Sequence, residues 1–60
     1  MDNYRKEIDE LIIMIATRQI DNTSWCVHNY INRHFDYLDI SERSNIFNYL
    51  DTIGAIKWRG

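Results

Sequence analysis

Apolar residues recur along this chain at helical spacing in three blocks, each closed by turn-forming or capping residues. In the first block Tyr4, Ile8, Leu11, Ile12 and Ile15 share one face, which predicts a helix from about Asn3 to Gln19. Asp2 or Asn3 is placed to cap it, and Glu7, Asp9 and Glu10 near its start suit the helix dipole. Met14 falls on the flank and Ile13 on the opposite side. Ile13 is either covered by another segment, such as the C-terminal tail, or left as an exposed contact spot. In so small a domain the covered arrangement is expected. The stretch RQIDNTS then breaks the helix.

The second block predicts a helix from about Ser24 to Phe35, capped by Thr23 or Ser24, with Val27, Tyr30, Ile31, His34 and Phe35 on its apolar face. Trp25 and Cys26 lie off that stripe in the first turn. Cys26 is expected to fill the core as a small side chain, and His34 to hydrogen-bond a neighbour at the helix end. In the link DYLDI, Leu38 and Ile40 are expected to turn inward while Asp36 and Asp39 face water. The third block predicts a helix from about Ser41 to Ile53. Ser41 is its expected N-cap, and Asp39 with Glu42 forms a competing capping box. Ile46, Leu50 and Ile53 make its buried stripe, with Phe47 and Tyr49 on the flanks. Gly54 sits where a left-handed C-cap is wanted. Residues 55–59 alternate, so that Ile56 and Trp58 pack inward from a short extended tail or strand. The fold class expected is therefore mainly α: one domain over residues 1–60, a three-helix bundle of helix-turn-helix type with a short C-terminal tail.

Charge and composition narrow the function classes. The formal net charge is −2, which is not the basic footprint that phosphate contacts give a free-standing DNA binder. Cys26 is the one cysteine, so no intrachain disulfide can form and a reducing, cytoplasmic setting is expected. No apolar run approaches the ~20 residues of a membrane helix, and no secretory signal pattern precedes LIIMIA, so no membrane partner is expected. Cys26, His28 and His34 do not share a helix face and do not make up a zinc set. Cys26 and His28, two residues apart, point in different directions and make no nucleophile–base pair. No catalytic residue, metal or cofactor is expected, and a chain this short has little means of enclosing a small-molecule cleft.

The closing phrase S-E-R-S-N-I-F-N-Y-L followed by I-G-A-I is similar to the reading helix and first wing strand of the winged helix-turn-helix superfamily. The order of elements over residues 4–60 resembles that module too. The resemblance implies that the exposed face of the third helix enters the major groove. There Arg43, Ser44, Asn45 and Asn48 would meet bases, while Lys57 and Arg59 would touch phosphates. Two departures weigh against it. The sequence stops at Gly60 without a return strand, and the second helix with its link is longer than the usual helix and turn. Glu42 and Asp51, at either end of the third helix, would repel phosphates.

Surplus aromatic residues point elsewhere. Two tryptophans, four tyrosines and two phenylalanines are more than 60 residues readily hide. Ile13, Trp25, Tyr37, Tyr49 and Trp58 cannot all be buried, and such side chains anchor protein interfaces. The function expected first is a small non-enzymatic protein-binding regulator or inhibitor, in the style of phage or mobile-element products that occupy a surface of a host protein machine. The acidic first helix would suit a basic surface on the partner. A homodimer is a further expectation, and a DNA-binding transcriptional regulator is the alternative.

Overall fold

A computed structural model describes residues 4–58. Three helices, α1 (Arg5–Ala16), α2 (Ser24–His34) and α3 (Ile40–Thr52), form a bundle in which α3 packs against both α1 and α2. The core is aliphatic with one aromatic ring. Ile8 and Leu11 come from α1, Val27, Ile31 and Phe35 from α2 and its end, Leu38 from the link, Ile46 and Leu50 from α3, and Ile56 from the tail. Tyr4, Ile12, Ile15, Tyr30 and Phe47 are half-buried around it, as their places beside the apolar stripes require.

Helix ends account for most departures from the sequence pattern. α1 stops at Ala16 rather than Gln19, because Arg18 adopts a left-handed backbone with φ 62°. The Gln19 N–H then donates to the Met14 carbonyl and the Arg18 N–H to the Ile15 carbonyl, at 2.9 and 3.1 Å. This is a Schellman ending. The expected caps Asp2 and Asn3 lie outside the described residues. α3 ends in the same way. Gly54, at φ 78°, donates to the Asp51 carbonyl at 3.1 Å, and Ala55 donates to the Leu50 carbonyl at 2.9 Å.

The start of α3 is set by Asp39, not Ser41. The Asp39 carboxylate accepts the Glu42 N–H at 2.8 Å, and Glu42 accepts the Asp39 N–H at 3.2 Å. A capping box satisfies two otherwise unpaired donors, whereas a lone serine satisfies one. Beginning the helix one residue earlier turns Ile40 outward, and it is 74% exposed instead of turning in beside Leu38. Ile53, expected on the buried stripe, is the C-cap residue and is also exposed, since the bundle ends a turn before it.

No side chain caps α2: Thr23 holds the cap position with its hydroxyl on Asp21. The tail supplies the missing acceptor. The Lys57 carbonyl takes the Ser24 N–H at 3.2 Å and the Lys57 N–H donates to the Asn22 carbonyl at 2.8 Å, making one parallel bridge between Thr23 and Lys57. Ile56 is buried by this arrangement. Trp58 is not; it lies on the surface, 57% exposed. No helix among the described residues is long and apolar enough to cross a membrane.

Candidate functional site

The outer sides of α2 and α3 enclose an open groove of about 520 Å³. Ile31, Phe47 and Ile40 line its apolar part, while His28, Asn32, Arg43, Ser44 and Asn48 supply the polar part. Phe47 is the hinge of the surface. The His28 and Phe47 rings are nearly perpendicular with centroids 5.8 Å apart, and Trp58 makes a second T-shaped pair with Phe47 at the same distance. Trp58 is held there by its indole N–H, which donates to Asp51 Oδ1 at 2.6 Å. The tail thus places a tryptophan against the flank of the groove.

Among the described residues Arg43 is the only permanent cation lining the groove, and no carboxylate lines it. Its Nη1 donates to Asn32 Oδ1 at 3.2 Å, across from α3 to α2. Its Nε is shielded from water and has no acceptor. The guanidinium is therefore fixed along the groove rather than extended from α3. The outermost face of α3, set by helical spacing, carries Ser41, Ser44, Asn45, Asn48 and Thr52, all exposed and uncharged, with Asp51 beside them. Of the residues expected to touch DNA, Ser44, Asn45 and Asn48 share this face. Arg43 lies on its flank. Lys57 is exposed on the tail, and Arg59 lies outside the described residues.

The five expected interface residues are all exposed: Ile13 at 59%, Trp25 at 68%, Tyr37 at 65%, Tyr49 at 44% and Trp58 at 57%. Ile13 is not covered by the tail, which runs instead to the start of α2. Ile40 and Ile53 join the exposed set. These side chains do not form one patch. Trp58 and Ile40 border the groove, Tyr49 and Ile53 lie a turn apart on α3, and Ile13 stands on α1.

A second polar feature lies between α1 and the α2–α3 link. Glu7 is buried, and the Tyr37 hydroxyl donates a short hydrogen bond to its Oε2. That bond, with partial burial and the nearby Glu7 and Glu10 charges, pushes the Tyr37 pKa up to about 12. Tyr30 places its hydroxyl 3.0 Å from the Met14 sulfur, and burial together with Glu10 raises its pKa as well. His34 does not enter the core. It is exposed and stacks on Tyr30 with ring centroids 4.2 Å apart. Cys26 is half-buried instead of enclosed, in a shallow hollow with Asn29, Tyr30, Arg33 and His34, away from His28. Among the described residues no three His, Cys, Asp or Glu side chains are grouped to hold a metal ion.

The sequence pattern places Glu7 only as a helix-dipole acid, dismisses His28 as a ligand or base, and gives Asn32 no role. Glu7 was detectable: it sits one turn before Leu11 and three residues after Tyr4, in the middle of the apolar stripe. The Asn32–Arg43 link joins two helices and has no local signature. Comparison with known proteins finds no matching family model, no matching curated protein and no matching solved structure.

Proposed function

We propose that this chain is a small protein-binding regulator that works by occupying a surface of a partner protein. The observation that carries this reading is the exposure of both tryptophans, Trp25 and Trp58, together with Ile13, Tyr37 and Tyr49. Large aromatic side chains left in water are costly to a domain with so small a core, and they are the side chains that dominate binding energy at protein interfaces. Arg43 favours the same choice over DNA. The arginine placed to read guanine is tied to Asn32, and the outer face of α3 presents no cation to phosphate.

The test is affinity capture with the tagged chain from lysate of its native host, with and without nuclease, repeated with Trp25→Ala, Tyr49→Ala and Arg43→Ala. Circular dichroism confirms that each variant folds. A protein retained after nuclease, and lost with Trp25→Ala or Tyr49→Ala more than with Arg43→Ala, is the expected result. Capture that disappears with nuclease, or that is lost with Arg43→Ala alone, would overturn the reading in favour of DNA.

A further inference from the structure

We propose that the α2–α3 groove is a seat for α1 of a second copy of this chain, with Ile13 of one protomer entering the groove of the other and Glu10 meeting Arg43. This goes beyond the regulator reading and does not depend on it, because self-association needs no foreign partner.

The groove itself states what it lacks. Its apolar side, Ile31, Phe47 and the 74%-exposed Ile40, has room in about 520 Å³ for an aliphatic side chain. Among the described residues its one permanent charge is Arg43, whose Nη1 is held by Asn32 and whose Nε is shielded, so that an incoming carboxylate meets the Nη edge. Guanidinium groups pair best with carboxylates, through two parallel N–H donors. Among the described residues nothing lining the groove offers a carboxylate. The fitting occupant is a segment with a protruding aliphatic side chain and an acid about one helical turn away.

The exposed face of α1 has this form. Ile13 stands 59% exposed. Glu10 lies about one turn before it, and the small residues Ala16 and Thr17 follow, so a second surface can come close. The other charges on this face are Lys6, a further turn back, and Asp9, which is paired with Arg5 at 3.4 Å. The chain's own α1 cannot fill its own groove, since α1 packs on α3 while Ile13 points to solvent. A two-fold axis would make the contact twice, each α1 in the other's groove, which is the usual way a self-complementary pair closes. It would cover Ile13 and Ile40 together and give a short chain the added burial it needs.

The test is sedimentation equilibrium over a wide concentration range with wild type, Ile13→Lys, Arg43→Glu and an equimolar mixture of the two variants. Wild type is expected at twice the 7.3 kDa chain mass. Each variant alone sets like charges against each other, lysine against Arg43 or glutamate against Glu10, and is expected to weaken association at least about tenfold. The mixture is expected to regain the dimer. One contact in the mixed pair is wild type, and in the other the introduced lysine meets the introduced glutamate. Ile13 is exposed, so its replacement leaves the bundle intact. Should Arg43→Glu fail to fold by circular dichroism, Ile40→Lys replaces it as the groove variant, and with Ile13→Lys it too is expected to be monomeric. Three results overturn the proposal: wild type monomeric at concentrations up to roughly 1 mM, which leaves the groove to a foreign acidic segment; dimers that persist in both single variants; or a mixture of Ile13→Lys and Arg43→Glu no more associated than its components.

Discussion

Glu7 occupies a position where the pattern of α1 calls for an aliphatic side chain, and its neighbours show how the fold tolerates it. One carboxylate oxygen is hydrogen-bonded by Tyr37, while the other has no partner among the described residues. Removing the hydroxyl takes the donor from a buried carboxyl oxygen, so Tyr37→Phe is expected to cost about 1 kcal/mol at neutral pH, a low value because Tyr37 is mostly exposed. The pH dependence follows from the raised pKa. The folded tyrosine titrates near 12 and the unfolded one near 10.0, so the bond contributes fully below pH 10 and is lost as the pH rises towards 12. Urea denaturation at stepped pH should show a constant advantage of wild type over Tyr37→Phe up to pH 10 that shrinks above it. An advantage unchanged at pH 12 would show that it does not come from this bond. Arg18 and Gly54 make a second matched pair. Both hold the left-handed position of a Schellman ending, one with a side chain and one without. A side chain in that conformation costs about 1–2 kcal/mol, so Arg18→Gly should raise the thermal midpoint and Gly54→Ala lower it. No atom lies within 4 Å of a Cβ placed on Gly54, so any loss there is a backbone effect and not a clash.

Among the elements, the helices were legible and their ends less so. The three apolar stripes placed all three helices, because period-3.6 burial is a property of the sequence that packing seldom overrides. Their termini depend on which of several local hydrogen-bond schemes wins. At α3 both Ser41 and the Asp39–Glu42 box were readable, and the box won because it pairs two donors. Ile40 turns outward as a consequence, because it becomes the first residue of the helix instead of part of the link, and Ile53 is exposed for a separate reason, since it extends past the last layer of core. Measured directly, Asp39→Ala should cost about 0.5–2 kcal/mol, while Ser41→Ala should be close to neutral. Equal losses for the two would restore Ser41 as the cap. Arg18 was unreadable for a different reason. Arginine gives no sign of a left-handed backbone, and the turn-forming stretch RQIDNTS marks the break without showing which residue takes that conformation. Of the candidate site, the exposed aromatics were legible as a surplus over what a small core can hold. The groove was not, because it is built from an asparagine and an arginine on two different helices and from a tryptophan fixed by Asp51.

For the molecule as a whole, the tail matters more than its length suggests. By supplying Lys57 as the acceptor for the first turn of α2, it joins Thr23 to Lys57 and closes α2, α3 and the link between them into a hydrogen-bonded ring, with α1 outside. Closing a loop of that size costs entropy once, after which the enclosed helices lose less on further ordering. α1 lies outside that enclosure and is held to the ring chiefly by Ile8 and Leu11. The molecule should therefore open in steps. Amide hydrogen exchange is expected to be faster at Leu11 than at Ile31 or Ile46, with α1 detaching as a unit while the ring stays closed. Equal protection across all three helices would mean that the domain opens only as a whole.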